Sequence, residues 1–537
     1  MARSAPTLTS FTGATKEKTM DKTSMNNKSH DRFTLLLIAV SSALLTSFVC
    51  PYAPWFRYCF ETDETVYRIL SLGWIRGKLP YRDLFDHKGP LSYVFYALGL
   101  LLSGGKNWGM WIIFCIVNAV TFTTMYRIFR LKFNENISLL SSASLIFLLT
   151  FFKDSLFGSS SRPENIITMF LMLSSYTFVK ALLRFSGLEP DDRKSRSSFV
   201  FTKSEMLLIG LYCGCVFLIK FNVCVFYLTF IGSYFIWLMV KARWREFFSR
   251  VGLFLSGLIS VTALFCIYYY VRGGLSDMLN TYFLFNIRSG LTGKWRLHIF
   301  QPPIPFTTQA VTLFLILCSA AVIYITLKSA SGKKLQFIVC FICGAVCYFF
   351  ITLPEIYYYS FIVLLPLYMV GIPFLIDLLT ARRTLRLSKA KISTLFVIPV
   401  LLSFLVNFIA IPSVPRQPTE FETKMEEFSR SHPKATYIFF MSNTFASPMF
   451  YDLTSEVPDF RYFYIPLRAT AKMENEHLKS IAKGQPDVIV IQNAKDQNQE
   501  VMQTFYDFFE KYGYEYYLEG DGYKYGSNYL IYTKKNP

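Results

Sequence analysis

The sequence predicts a polytopic α-helical membrane protein that ends in a small α/β unit. Three observations lead there. Hydrophobic residues make up 53 % of the 537 positions and charged residues 17 %, whereas a soluble domain carries about 25 % charge. Apolar runs of about 15 to 20 residues recur along the chain, roughly the length a bilayer core requires of a helix. The Lys and Arg residues behind the net charge of +19 gather in short segments between those runs. That is the pattern of cytoplasmic loops meeting anionic lipid, and it argues against nucleic acid, the usual partner of a strongly basic soluble chain.

Residues 1–32 are polar and rich in Ser, Thr, Lys and Asn. No apolar core precedes a small-residue cleavage site, so this stretch reads as a disordered cytoplasmic tail, not a signal peptide. The first span is about 33–50. Later spans fall near 108–126, 137–152, 165–183, 205–219, 222–240, 251–270, 307–327, 335–352, 360–379 and 392–412. Five basic clusters, "YRIFRLK", "DDRKSRS", "KARWREFFSR", "KSASGKK" and "ARRTLRLSKAK", all fall inside if the N-terminus is cytoplasmic. The run 90–103 then cannot span, because it would turn every later cluster outward. It reads as a juxtamembrane or re-entrant helix. About eleven spans result, with the C-terminus outside.

Residues 33–412 thus form a transmembrane domain with external loops at 51–107, 151–165 and 271–306. Residues 413–537 change character. "SVPRQP" is a linker, and "ATYIFF", "RYFYIP", "DVIVIQ" and "NYLIY" are short apolar runs separated by helix-like stretches at 470–483 and 499–512. Strands alternating with helices indicate a small extracytoplasmic α/β domain. The Tyr-rich "YEYYLEGDGYKYGSNYLIY" reads as strand, with sugar stacking as the other reading. All eleven cysteines precede residue 348, mostly within apolar runs, and read as small buried hydrophobes.

The external loops concentrate ionisable residues. "ETDETVYRILSLGWIRG" begins with Glu61, Asp63 and Glu64. Its Val66, Leu70, Gly73 and Trp74 have helical spacing, so an amphipathic helix lying along the interface is expected. "YRDLFDHKGPL" brings Asp83, Asp86, His87 and Lys88, and "FFKDSLFGSSSRPEN" adds Asp154, Arg162 and Glu164. Lys220 stands at a tight turn between two spans. Such a face suits a substrate with a tail in lipid and a phosphate at the interface. Lys or Arg holds the phosphate, and a carboxylate takes the proton of an incoming hydroxyl. Asp63 with Lys88, Arg162 or Lys220 meets those needs. Plainer readings stand beside this one: Glu64 as a helix-start acid, Arg162 paired with Glu164, and Lys220 snorkelling to the interface.

"TDETVY…PYRDLFDHKGPL" resembles the first external loop of GT-C fold glycosyltransferases, in the bacterial branch of protein O-mannosyltransferases and the aminoarabinose transferase of lipid A (a glycosyltransferase family 39-like group). "SSSRPEN" resembles that family's second acidic position, and "LIKFN" its lysine turn. The resemblance implies a GT-C domain in the inner (cytoplasmic) membrane. It implies transfer of a sugar from a polyprenyl-phosphate donor to a glycan, lipid or protein hydroxyl on the outer face. By it, Asp63 is the catalytic base of an inverting transfer and Glu64 orients the site. Lys88 and Lys220 bind the donor phosphate, Arg162 and Glu164 shape a second wall, and Tyr67, Asp86 and His87 join the substrate-binding set. Some GT-C enzymes use a divalent metal. No ligand set is legible here, and Asp154 near Asp63 is the candidate. In the loop 271–306, Asn280, Arg288, Lys294, Trp295, Arg296 and His298 are candidates for holding sugar or phosphate, against a plain solvated loop. A transporter or flippase of a lipid-linked glycan is the alternative function. Transporters bury ionisable residues at mid-membrane or show repeated halves; this chain shows no repeat and few charges within its spans.

Overall fold

A computed structural model describes residues 33–56, 62–151, 160–186, 201–288, 362–363, 365–380, 420–440, 457–458, 460–463, 486–492, 499–521 and 528–535, with single positions between 473 and 483. The expected spans 307–327, 335–352 and 392–412, the tail 1–32 and the linker lie outside the described residues.

The described part is mostly helical. Helix α1 is Phe33–Val49, α2 Thr62–Ile75, α3 Pro90–Ser103, α4 Trp108–Arg130 and α5 Glu135–Phe151. Helix α6 is Pro163–Ser186 and α7 Lys203–Phe217. Helix α8, Phe221–Val240, opens with a 3-10 turn and contains a π turn at Leu228–Gly232. Helix α9 is Trp244–Val271, α10 is Leu275–Met278 continuing as a π-helical stretch Leu279–Phe285, and α11 is Leu365–Thr380. Among the described residues four helices are long and apolar enough to cross a membrane: α4, α6 through Arg184, α8 and α9. Helices α1 and α3 fall short of that length.

Two differences from expectation concern element boundaries. Helix α9 starts at Trp244, inside the basic cluster, because Glu246 pairs with Arg243 and Arg250 along its first turns. Residues 275–288, expected as open loop, are helical.

Close helix approach rests on small residues, as is common in lipid, where apolar burial between helices gains little. A Cβ on Gly99 or Gly109 would collide with the facing backbone where α3 meets α4. Gly210 and Gly257 do the same between α7 and α9. Hydroxyls inside the apolar helices donate to their own i−4 carbonyls, as at Ser47, Thr121, Ser142, Thr168 and Ser175, which removes an unpaired donor from an apolar surrounding. At the basic end of the bundle Arg184 makes two 2.8 Å bonds to Glu205. Glu205 completes a capping box with Thr202 at the start of α7.

Toward the C-terminus, α12 (Glu420–Ser431), β1 (Tyr437–Phe440), β2 (Val488–Gln492), α13 (Gln499–Lys511), β3 (Tyr514–Asp521) and β4 (Asn528–Lys534) follow. The strands form one sheet in the order β1-β2-β4-β3. β1 runs parallel to β2, and the other pairs are antiparallel. The Tyr-rich segment supplies β3 and β4. The expected strand at "RYFYIP" is a turn over residues 461–463.

Candidate active site at the non-basic end of the bundle

Asp63 and Glu64 occupy the first turn of α2, where exposed N–H groups favour acids. Helix α2 is buried on all sides from Glu64 to Gly73. It therefore does not lie amphipathically along an interface, because α3 and neighbouring helices cover its polar face as well. Tyr52 donates its hydroxyl to the Glu64 carbonyl. Tyr67 is buried between the rings of Tyr93 and Tyr96.

The chain then turns sharply to present the DHKGP segment. Asp83 accepts from the Leu79 N–H at 2.7 Å and pairs with Arg82, so its role is local. Tyr81 has φ of 73°, a region costly for a bulky residue. Its N–H donates to the Leu84 carbonyl and its hydroxyl to the Lys88 carbonyl, both at 2.7 Å. Asp86 is buried. It accepts from the Tyr93 hydroxyl at 2.8 Å and the His87 N–H at 2.7 Å, and the His87 ring lies 3.3 Å away. Burial alone would raise its pKa. The His87 contacts, the Lys88 charge and the Tyr93 bond outweigh that and hold it down to about 2.

Gly89 explains how this loop is seated. Its N–H donates to the Ile219 carbonyl and the Leu91 N–H to the Leu218 carbonyl, both at 3.1 Å. A Cβ at Gly89 would lie 2.0 Å from the Leu218 oxygen. The Lys88 loop is thus laid directly on the break between α7 and α8, which carries Lys220. Pro90 begins α3, a position where its missing N–H costs nothing.

The second loop arrives through Ser160–Pro163. Asn118 of α4 donates to the Ser160 carbonyl at 3.1 Å, and Tyr96 of α3 donates to that of Ser161. Arg162 then reaches Glu64 at 3.2 Å, and Glu164 reaches Lys220 at 3.3 Å. The acids and bases therefore pair between elements, and Arg162 does not pair with Glu164.

Asp63 sits among these groups. Burial raises its pKa above the ordinary aspartate value. Lys88 and Arg162 pull it down, and Asp86 and Glu164 push it up. Among the described residues neither the Asp63 carboxylate nor the Lys88 ammonium makes a hydrogen bond or ion pair, and both side chains are partly accessible. Among the described residues the site thus combines two ion pairs between elements with one carboxylate and one ammonium that make neither a hydrogen bond nor an ion pair.

Asp154, Lys294, Trp295, Arg296 and His298 lie outside the described residues. Of the remaining candidates in the loop 271–306, Asn280 makes an exposed bond to Ser276 and Arg288 is exposed at the end of its helix. Sequence reasoning missed Tyr282, Asn286 and Asn118. The first two are four residues apart in "TYFLFN", helical spacing on one face, and an Asn within an apolar span is itself a signal. Among the described residues no three His, Cys, Asp or Glu side chains group so as to hold a metal ion.

Residues 87–270 match the family of dolichyl-phosphate-mannose-protein mannosyltransferases. The match includes Lys88, Arg162, Glu164 and Lys220 and begins after Asp63 and Glu64. Compared by sequence with curated proteins, the chain has no match. Among solved structures it resembles ArnT from Cupriavidus metallidurans bound to undecaprenyl phosphate, with 12 % identity, 93 % of this chain and 98 % of that chain covered, and a TM-score of 0.50. ArnT in the apo state matches at 12 % identity, 94 % and 98 % coverage, and 0.50. The archaeal oligosaccharyltransferase AglB from Archaeoglobus fulgidus, in complex with an inhibitory peptide and a dolichol-phosphate, is more distant in fold, with 14 % identity, 94 % and 74 % coverage, and a TM-score of 0.42. Over residues 87–270 the chain carries the sequence pattern of the dolichyl-phosphate-mannose-protein mannosyltransferases, and its fold resembles that of ArnT, a GT-C membrane glycosyltransferase.

Proposed function

We propose that this protein transfers a sugar from a polyprenyl-phosphate donor to an acceptor hydroxyl, with Asp63 as general base. The observation that carries the reading is the largely buried Asp63 carboxylate, under the charges of Lys88 and Arg162, in a frame where Glu64, Arg162, Glu164 and Lys220 are paired across elements. The family match supports a lipid-phosphate sugar donor.

The chemistry is a single displacement. The acceptor O–H gives its proton to an Asp63 oxygen while its electron pair attacks the anomeric carbon. The bond from that carbon to the phosphate oxygen breaks, and the pair leaves with the polyprenyl phosphate. Lys88 is the cation assigned to offset the growing phosphate charge. A raised Asp63 pKa makes the carboxylate a stronger base than an ordinary aspartate. The anomeric configuration inverts.

The site lies at the end of the bundle opposite Arg127, Arg130, Arg184 and Arg243. With that basic end cytoplasmic, the reaction takes place on the outer face, and the C-terminal sheet lies outside as an extracytoplasmic domain. A total of about eleven spans accords with this orientation. Membranes holding wild type or Asp63→Asn, given radiolabelled polyprenyl-phosphate hexoses and native envelope, test the reading. Transfer by wild type that falls about 10²- to 10⁴-fold in Asp63→Asn at equal protein level is expected. Transfer that survives the substitution would remove Asp63 as the base.

A further inference from the structure

The Lys88 loop and the Lys220 break come from parts of the chain more than a hundred residues apart, and one helical turn bonds to both. Tyr282 is fully buried. Its hydroxyl accepts from the Phe221 N–H at 3.0 Å and donates to the Phe217 carbonyl. Those are the backbone groups on either side of Lys220, left without helical partners where α7 stops and α8 starts. One turn later Asn286 donates from its side-chain amide to the His87 carbonyl at 2.7 Å, next to Lys88, and to the Tyr282 carbonyl at 2.7 Å. Phe285, between them, packs edge-on against Phe85 and lies 6.0 Å from the His87 ring. The third side is the direct seating of Gly89 on Leu218 and Ile219. Three backbone segments therefore close a triangle, and the π-helical stretch ending at Phe285 supplies two of its sides. Stretches of π-helix are often found where a protein aims side chains at a functional site.

We propose that Tyr282 and Asn286 are positioning residues that hold the Lys88 loop and the Lys220 turn in one frame, fixing where the Lys88 ammonium stands relative to the Lys220–Glu164 ion pair at the donor phosphate. This rests on the donor reading given above. Neither residue touches the reacting atoms. Tyr282 acts through the Phe217 and Phe221 backbone flanking Lys220, and Asn286 through the backbone that precedes Lys88.

Tyr282→Phe removes only the hydroxyl and keeps the ring contacts with Phe221 and Phe283. Asn286→Leu removes the donor at similar volume, and Asn286→Gln is the conservative variant. Affinity for undecaprenyl phosphate is measured on the purified full chain in detergent, in the native background and in Lys88→Met and Lys220→Met. We expect Tyr282→Phe and Asn286→Leu each to weaken binding about tenfold, the equivalent of a buried hydrogen bond lost, with partial recovery in Asn286→Gln. The Tyr282→Phe effect should vanish in Lys220→Met, and the Asn286→Leu effect in Lys88→Met, since each acts through that lysine. Amide hydrogen exchange on the same proteins reads the frame without lipid. Exchange should rise at 218–224 in Tyr282→Phe and at 86–92 in Asn286→Leu. Unchanged exchange, or a binding loss of equal size in all lysine backgrounds, overturns the proposal. Wild type that binds no undecaprenyl phosphate, with exchange changed as expected, overturns the donor reading and leaves the frame standing.

Discussion

Replacing Gly89 by Ala tests whether the site depends on direct backbone contact between the Lys88 loop and the α7–α8 break. The added Cβ would stand 2.0 Å from the Leu218 oxygen, 2.5 Å from its carbon and 2.8 Å from the Ile219 Cα. A comfortable contact is about 3.5 Å, so the two backbones must part by more than about 1 Å. Both partners are main chain, and no flexible side chain can give way. Parting them stretches the Gly89–Ile219 and Leu91–Leu218 bonds, each 3.1 Å now, at about 1 kcal/mol apiece. Overpacking adds about 1–3 kcal/mol. The total loss is about 3–5 kcal/mol. Movement of this size shifts Lys88 relative to Lys220, and about 1 Å of misplacement costs a reaction about 10²-fold. The assay is sugar transfer from a polyprenyl-phosphate donor at matched protein level, alongside thermal unfolding in detergent. Gly252→Ala is the control, because nothing lies within 4 Å of its added carbon. Wild-type transfer and wild-type melting in Gly89→Ala would refute the argument.

Other substitutions separate groups that hold the site from groups that work in it. Asp86 has a folded pKa of about 2 against an ordinary 3.8, so its charge contributes about 2 kcal/mol that is present above pH 4 and is lost as pH falls toward 2. Asp86→Asn should lower the neutral-pH melting temperature and flatten that acid limb, read by melting at pH 3 and pH 6. Asp63 is shifted the other way, so its ionisation opposes folding. Asp63→Asn should abolish transfer while keeping or raising the melting temperature at neutral pH. In the wild type, transfer should fall as pH drops, with a midpoint above 3.8; a lower midpoint would contradict the burial of this carboxyl. Arg162→Met leaves the fully buried Glu64 charge without this partner and should cost about 3 kcal/mol. The double variant with Glu64→Gln should regain part of it, a pattern a double-mutant cycle detects.

Much of the helical layout was legible because lipid leaves few choices for an apolar run. Five expected spans between 108 and 240 match helices to within a few residues, and the apolar run 90–103 is a helix with the expected bounds. The acids and bases that come together at this end of the bundle were legible as a set of residues but not as a set of pairs. Sequence spacing gave no means to see that Glu64 meets Arg162 or that Glu164 meets Lys220, since these contacts join helices 98 and 56 positions apart. The burial of α2 was hidden for a related reason. Its polar residues bond to neighbouring helices, and periodicity cannot distinguish a polar face turned to protein from one turned to water. Tyr282 and Asn286 escaped because they act through main-chain groups, which carry no sequence signature at the positions they hold.

The first loop is also tied to the far end of the chain. The Phe85 N–H donates to the Arg461 carbonyl at 2.7 Å, Arg461 lies 3.6 Å from Asp277, and Lys78 reaches the Pro458 carbonyl, 380 residues downstream. During synthesis, at about 5–20 residues per second, about 20–80 s pass between the emergence of Lys78 and that of its partner. Lys78 and Phe85 are therefore made well before the segment that fastens them. In a nascent or C-terminally shortened chain the Lys78–Phe85 segment lacks this tie, and the first loop is held by its contacts with residues 218–219 and Asn286.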